Sequence, residues 1–363
     1  MRRFLIVIVV LALGAGSWLC VQLYGNLNSS FKGFSGSEQF VEIPPKSGPQ
    51  AIGRLLIDAG VVHDSWTWRL GLWRTGSAGK LKAGEYRFDK ATTVDEVIRR
   101  VARGEVYLRP ITFPEGLTIR QMAHVYEEKG FGPAASFIEA TRDITLMAVL
   151  DPAATDLEGY LFPDTYPLPR RATAHDLVKK MVARFEAVFN QPMRDRATAA
   201  GLSPREAVTL ASLVEKETAR PDERARIAAV YLNRLHIRMA LQCDPTVIYA
   251  LERASRYNGN LTHADLSFAS PYNTYRYPGL PPGPIASPGR ASLEAAVRPL
   301  PADDLYFVSR NDGSHAFAET LDEHNRNVKK YQVEYFRDQR AQEAAAHPAA
   351  PAAPAARKPA KKH

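Results

Sequence analysis

The chain has 363 residues, of which 45% are hydrophobic and 24% are charged, and its formal net charge is +8 at pH 7. This balance is typical of a folded protein and excludes a chain that is disordered throughout. The positive charge suits partners that carry carboxylates or anionic lipid, and no basic-aromatic motif favours nucleic acid. The nine histidines form no HExxH or HxxxH pattern, so the sequence predicts no metal site and no cofactor.

The amino terminus predicts a single membrane anchor. Arg2 and Arg3 precede an apolar run over residues 4–21, which as a helix reaches roughly 27 Å, close to the bilayer core. The two arginines, with no positive charge just after the run, place a cytoplasmic tip over residues 1–3 and the bulk of the chain outside. No small-residue cleavage site clearly follows, so an uncleaved anchor over residues 4–24 is preferred to a removed signal peptide.

A weak internal repeat divides the rest of the chain, after a linker over residues 25–40. The segment VEIPPKSGPQAIGRLLIDAGV, from Val41, aligns without gaps on ITFPEGLTIRQMAHVYEEKGF, from Ile111, at an offset of 70 residues. Each copy predicts a short strand, a proline turn and an amphipathic helix that ends at glycine, although chance similarity is the alternative. The first copy begins a small module that closes with a strand over 83–88 and a helix capped by Thr93. The second copy begins a larger domain.

Residues 157–166, LEGYLFPDTY, combine aromatic rings with two carboxylates in a segment punctuated by proline. Aromatic rings stack well on sugars, so this segment suits the binding of a sugar. The same composition suits a buried loop, and that alternative stays open.

The segment LASLVEKETARPDERAR, from Leu210, places two carboxylates at the end of an otherwise apolar helix. A capping box that begins at Ser203 starts this helix, and it is predicted to end at Arg220. Glu217 lies over the apolar stripe in the last turn, so both desolvation and the helix dipole are expected to raise its pKa. A carboxyl that stays protonated near neutral pH is what general acid catalysis on a glycosidic oxygen requires. Pairing of Glu215 and Glu217 with basic neighbours on a solvated surface is the alternative.

Two further helices and a loop follow. An amphipathic helix over 227–235 precedes a third helix over 246–251, for which Asp244 either supplies the cap or contributes to a cleft. The preceding Cys243 is read as a packed residue rather than a nucleophile, and a disulfide with Cys20 in the membrane span is implausible. Residues 270–289, SPYNTYRYPGLPPGPIASPG, predict a stiff loop whose tyrosines and Asn273 are either packed or presented to a ligand.

The carboxyl-terminal part predicts three elements. Residues 305–308 and 316–318 have the pattern of a hairpin around an Asn-Asp-Gly turn, and residues 321–331 predict a polar helix. From residue 341 the chain is Ala, Pro and Lys, too poor in large apolar residues to fold. Its basic end either touches acidic wall polymers or only aids solubility.

Several motifs, taken together and in this order, resemble those of the MltG (YceG-like) family of endolytic murein transglycosylases. The resemblance extends from the anchor to about Tyr331. The motifs are EGYLFPDTY from Glu158, ASLVEKET from Ala211, LQCDPTVIYAL from Leu241, YNTY from Tyr272 and GLPPGPI from Gly279. The chain departs from the family at Cys243, where Ser or Thr is expected, and in its Ala/Pro/Lys tail.

The resemblance implies an α+β protein with a LysM-like module over 41–105 and a larger mixed α/β catalytic domain over 106–335. It implies that Glu217 is the catalytic acid of a lytic transglycosylase, a carbon-oxygen lyase that cuts MurNAc-GlcNAc bonds within nascent peptidoglycan strands and leaves 1,6-anhydro-MurNAc ends. The bacterial inner membrane is the expected location, with the catalytic domain outside the cytoplasm and peptidoglycan synthases as partners. The candidate substrate contacts are Glu158, Tyr160, Asp164, Gln242, Asp244, Tyr272, Asn273, Thr274 and Tyr275.

Two other functions remain open at the level of the sequence. A membrane-anchored scaffold could bind peptidoglycan and recruit synthases without cutting, and such a protein has no need of Glu217. A hydrolytic muramidase needs a second carboxylate to activate water, and Glu158 or Asp164 could serve.

Overall fold

The computed structural model describes residues 2–346, so Met1 and the end of the predicted tail, 347–363, lie outside the described residues. The helices and strands are α1 (Arg2–Asn28), β1 (Gln39–Ile43), α2 (Pro49–Asp58), α3 (Ser65–Thr75), β2 (Gly84–Phe88), α4 (Val94–Arg103), β3 (Arg109–Thr112), α5 (Ile119–Glu128), α6 (Ala134–Ala140), β4 (Thr165–Leu168), α7 (Ala174–Val188), α8 (Gln191–Ala199), α9 (Pro204–Glu217), α10 (Arg224–His236), α11 (Asp244–Arg253), α12 (Arg290–Val297), β5 (Tyr306–Ser309), β6 (His315–Ala318), α13 (Leu321–Val328) and α14 (Tyr335–Ala346).

The protein is a mixture of helices and short strands, as the α+β prediction requires. Within residues 2–346 the strands form three two-stranded sheets, β1 with β2, β3 with β4 and β5 with β6. The chain divides into two compact units. Of the described residues, unit 1 comprises 2–111 and 167–172, and unit 2 comprises 112–166 and 173–346.

Unit 1 is built on the antiparallel pair β1 and β2, in which Val41 lies opposite Tyr86. Alternate side chains of both strands face a core that α2, α3 and α4 cover, as the two-residue period of a strand dictates. The predicted strand, proline turn, helix, closing strand and Thr93-capped helix are all present. Helix α3 has no counterpart in the sequence-based prediction, because the exposed rings of Trp66 and Trp73 obscure its apolar period.

The predicted linker over 25–40 is wrong at both ends. Residues 25–28 belong to α1, and Gln39 already starts β1. Between them, the backbones of Phe31 and Thr92 exchange two hydrogen bonds of 3.1 Å, and the Gly33 N–H donates to the Gly60 carbonyl at 2.8 Å. These backbone bonds fasten the segment to unit 1.

Unit 2 is organised around α9, whose residues 207–214 are all buried. Ser203 and Glu206 form the predicted capping box at its start, which satisfies backbone N–H groups of the first turn. The prediction of its end is wrong, because Thr218 adopts extended backbone angles and terminates the helix at Glu217 rather than at Arg220. The Thr218 side chain then accepts the Arg220 N–H at 3.0 Å and turns the chain toward α10.

The remaining predicted elements of unit 2 differ from the structure mainly in length. Residues 270–289 contain no helix or strand, as predicted, and β5 pairs antiparallel with β6 in the predicted hairpin. The polar helix is longer than predicted: α13 continues through a π-helical turn over Lys329–Glu334 into α14, which reaches Ala346, inside the segment predicted not to fold.

Candidate active site

The carboxyl of Glu217 lies at the carboxyl-terminal end of α9, beside α10 and the start of α11. Tyr231 of α10 is 1% exposed, and its hydroxyl donates to Glu217 Oε1 at 2.6 Å. The thiol of Cys243, at the N-cap of α11 and also 1% exposed, forms a second hydrogen bond with the same carboxyl. Glu217 is therefore held by two side chains while part of its own surface stays exposed to solvent.

The surroundings of Glu217 favour its protonated form. Burial raises its pKa, the nearby charge of Asp244 adds to the rise, and the hydrogen bonds from Tyr231 and Cys243 oppose it. The direction agrees with the prediction, and desolvation is its largest cause. Burial also raises the pKa values of Tyr231 and Cys243 well above their ordinary range, so both remain protonated donors.

Glu215, two residues earlier, instead has a buried side chain that is bonded to neighbouring groups of the fold. Its side chain is 6% exposed, and it accepts the Gly289 N–H at 2.9 Å and pairs with Arg224 at 3.5 Å. The alternative given for Glu215 and Glu217, pairing with a basic neighbour, therefore describes Glu215, although its pair with Arg224 is buried rather than solvated. Glu217 is the carboxyl that the fold leaves available for chemistry.

Asp244 and Tyr275 form the polar edge of the Glu217 site. The Tyr275 hydroxyl donates to Asp244 Oδ1 at 2.6 Å. Burial raises the pKa of Tyr275, and the bond to Asp244 raises it further. Asp244 is the first residue of α11 rather than its N-cap, so its carboxylate is free to point into the site.

Thr274 fixes the backbone around Cys243 through two hydrogen bonds. The Thr274 hydroxyl accepts the Cys243 N–H at 3.0 Å, and its carbonyl accepts the Gln242 N–H at 3.2 Å. Gln242 is exposed and has a φ of 52°, a left-handed conformation that costs free energy and occurs often at functional sites. Gln242 thus remains a candidate for substrate contact, whereas Thr274, 1% exposed, acts from below the surface.

Three residues predicted to contact substrate have partners within the protein instead. Asn273 is fully buried, and its amide donates to the carbonyls of residues 266 and 268, which shapes the loop. Tyr160 is 1% exposed and donates to Asp151 at 2.6 Å. Asp164 pairs with Arg184 at 2.9 Å. For Asn273 and Tyr160, burial replaces the predicted contact with substrate by a structural role.

Glu158 and Tyr272 both neighbour Tyr249 of α11. The Glu158 carboxylate accepts the Ile119 N–H at 3.0 Å and the Tyr249 hydroxyl at 3.2 Å. Burial, with the nearby charge of Asp156, raises the pKa of Glu158 to about 8. The Tyr249 and Tyr272 rings lie 5.0 Å apart. A cavity of about 330 Å³ opens beside Glu158, and of the described residues that line it none is Glu217.

The sequence-based prediction missed Tyr231 as a partner of Glu217 and gave no role to His315. His315 Nδ1 lies 2.7 Å from Glu223 Oε2, and a charge on His315 favours the ionised form of Glu217. Tyr231 occupies an apolar position of an amphipathic helix, so the sequence pattern predicts a core residue there and gives no sign that its hydroxyl bonds Glu217. Within residues 2–346, no group of three or more His, Cys, Asp or Glu side chains could hold a metal ion.

Fold and site together define a family. The sequence profile of the YceG-like family matches residues 41–330, and the chain belongs to that family. It is 33% identical over 307 residues to the endolytic murein transglycosylase of Bacillus subtilis (strain 168), and the match covers 80% of this chain and 84% of that protein. It is 31% identical over 323 residues to the endolytic murein transglycosylase of Streptococcus pneumoniae serotype 2 (strain D39), of which the match covers 58%.

A solved structure has the same fold. The crystal structure of a yceG-like protein from Listeria monocytogenes superposes with a TM-score of 0.54 at 32% sequence identity, and the match covers 80% of this chain and 99% of that one.

Proposed function

We propose that this protein is an endolytic murein transglycosylase that cuts MurNAc-GlcNAc bonds within nascent peptidoglycan strands and leaves 1,6-anhydro-MurNAc ends. The observation that carries the proposal is the carboxyl of Glu217, whose pKa burial raises and whose hydrogen-bond partners are Tyr231 and Cys243. The curated relatives, which bear the name of this activity, support it.

The reaction uses Glu217 twice. Its protonated carboxyl gives its proton to the glycosidic oxygen, and the bond to the MurNAc anomeric carbon breaks with oxocarbenium character. The carboxylate so formed takes the proton of the C6 hydroxyl of the same MurNAc, whose oxygen bonds to the anomeric carbon and closes the anhydro ring. Glu217 regains its proton, and no water is consumed.

The surrounding groups suit both steps. The hydroxyl of Tyr231 and the thiol of Cys243 stabilise the carboxylate that exists between the two proton transfers. Asp244, whose carboxylate accepts a hydrogen bond from Tyr275, supplies negative charge near the developing oxocarbenium ion. Because the nucleophile is part of the substrate, a second carboxylate to activate water is not required.

We further propose that α1 anchors the protein in the bacterial inner membrane, with units 1 and 2 outside the cytoplasm and peptidoglycan synthases as partners. Residues Ile6–Asn28 form a helix long and apolar enough to cross a membrane, and a signal sequence passes the same test. Arg2 and Arg3 precede the helix, which favours an inside amino terminus. The compactness of unit 1, which contains residues 41–105, supports a LysM-like module there.

The test is mass spectrometry of uncrosslinked glycan strands after incubation with the full chain, Glu217→Gln and Glu186→Gln. Glu186 is an exposed residue of α7 and serves as the matched control. We expect internal cuts with anhydro ends from the unmodified chain and from Glu186→Gln, and a loss of about 10²–10⁴-fold with Glu217→Gln. Reducing MurNAc ends indicate a hydrolase, and intact strands that still bind the protein indicate a scaffold; either result contradicts the proposal.

A further inference from the structure

Helix α3 is tied at both ends to the last turn of α1. At its carboxyl-terminal end, Arg74 donates to the Leu27 carbonyl at 3.0 Å and to Asn28 Oδ1 at 3.1 Å. At its amino-terminal end, the Asn26 amide donates to the N-cap residue Asp64 at 3.4 Å. Both ends of α3 therefore lie at the level of three consecutive residues of α1, so α3 runs across the end of α1 rather than along it.

The last turn of α1 falls at the edge of a bilayer that α1 spans. The candidate membrane span Ile6–Asn28 has 23 residues, which as a helix measures about 35 Å. The hydrocarbon core is about 30 Å thick. The surplus length, about one helical turn, places Asn26 and Asn28 among the lipid headgroups. Tyr24, 72% exposed, lies one turn before Asn28, where aromatic belts occur.

The outer face of α3 carries exposed tryptophan and arginine side chains, which are typical of the lipid headgroup region. Trp66 and Trp73 are 60% and 83% exposed, and Arg69 between them is exposed too. These residues are three and four positions apart, so they share one helix face. The guanidinium of Arg69 lies 5.6 Å from the centre of the Trp66 ring. Trp68 and Leu72, on the opposite face, are buried in the core of unit 1.

We propose that α3 is a second membrane-contacting element, which lies in the interface of the bilayer that α1 spans. Trp66 and Trp73 insert their rings at the level of the headgroups, as tryptophan does in membrane-interface belts, and Arg69 faces the lipid phosphates. The inference rests on the anchoring role proposed for α1. With two points of contact, unit 1 is held in a fixed orientation on the bilayer instead of pivoting on a single helix.

The test is depth-dependent quenching of tryptophan fluorescence in the full chain, reconstituted in phospholipid vesicles. Trp18 in the span is first replaced by Phe, which leaves Trp66, Trp68 and Trp73. The lipids are brominated either close to the headgroup or close to the end of the acyl chain. Trp68 is 2% exposed and donates its ring N–H to the Pro49 carbonyl, so it serves as the unquenched reference and reports the integrity of unit 1.

We expect stronger quenching by lipids brominated near the headgroup than by those brominated near the chain end. Replacing both Trp66 and Trp73 by Phe should remove this quenching and leave the emission of Trp68. Emission from Trp66 and Trp73 that is no more quenched than that of Trp68 overturns the proposal and indicates that this face contacts water or another protein. In the chain that retains Trp18, absence of its quenching by the deep bromines overturns both the anchor and the role of α3. The assay of glycan cutting is independent of either result.

Discussion

The carboxyl of Glu217 has two hydrogen-bond donors of different strength, Tyr231 and Cys243. Each stabilises the carboxylate and so lowers the pKa of Glu217 against the larger effect of burial. In the proposed reaction the first step needs protonated Glu217, so we expect its pKa to set the alkaline limb of the pH-rate profile. The two donors can therefore be tested separately.

Removal of the tyrosine hydroxyl tests the first donor. In Tyr231→Phe the carboxylate loses a short hydrogen bond, so we expect the alkaline limb to move to higher pH and the rate to fall about tenfold or more. Tyr249→Phe is the matched control, because its hydroxyl bonds Glu158 instead. An alkaline limb that stays in place in Tyr231→Phe, or moves equally in the control, contradicts the assignment.

The thiol of Cys243 stands where the family resemblance implies Ser or Thr. A hydroxyl is a stronger donor than a thiol, so Cys243→Ser should move the alkaline limb to lower pH, and Cys243→Ala should move it to higher pH. The measurement is the pH dependence of anhydro-product formation by both variants. Shifts of the same sign would mean that Cys243 acts by packing alone.

The buried carboxyl of Glu158 predicts a pH dependence of stability. Its pKa is about 8 in the folded protein against 4.5 for an ordinary glutamate, so the folded state binds more protons between these values. Its stabilising contribution is complete below about pH 4.5 and is lost as the pH rises through about 8. Glu158→Gln should flatten this decline. Denaturant unfolding across that range measures it, and an unchanged slope would show that Glu158 does not carry it.

At the level of elements, the segment EGYLFPDTY and the loop GLPPGPI meet at one glycine. Gly159 has a φ of +84°, and a Cβ placed there comes within 2.4 Å of Pro284. Gly201 has a similar φ of +74° but no atom within 4 Å of such a Cβ. The two positions separate the cost of backbone conformation from the cost of steric overlap.

We therefore expect Gly201→Ala to cost about 1 kcal/mol of unfolding free energy, from the left-handed conformation alone. Gly159→Ala should cost about 1–3 kcal/mol more, because the loop must also shift away from the added methyl group. Denaturant unfolding of both variants measures the difference. Equal losses of stability would mean that the loop moves aside freely and is not held by this contact.

Elements with a strong local pattern could be predicted from the sequence. The Thr93 cap of α4, the capping box that begins α9, the hairpin of β5 and β6, and the strand-turn-helix pattern of the first repeat copy match their local patterns. Boundaries that depend on tertiary contact could not. The end of α9 is set by the extended backbone of Thr218, and the segment around Phe31 is held by backbone bonds to distant residues. Such contacts leave no local trace.

The same division applies to the candidate site. Glu217 could be found because its position on a helix face and in the last turn is a local property. The contacts of Tyr231 and Cys243 with Glu217 depend on how α10 and α11 pack against the end of α9. This packing cannot be predicted from the spacing of residues along the chain. Burial likewise removed Tyr160 and Asn273 from the substrate contacts, and Glu158 was assigned to a separate cavity.

At the scale of the whole molecule, the central claim is that Glu217 serves as acid and then as base while the substrate supplies the nucleophile. The most direct test is to run the reaction of the full chain in water enriched in a heavy oxygen isotope and to measure the mass of the new MurNAc ends by mass spectrometry. We predict anhydro ends with no heavy oxygen at the cleaved position, and no such ends with Glu217→Gln. Incorporation of one heavy oxygen per cut would show that water is the nucleophile and would contradict the account.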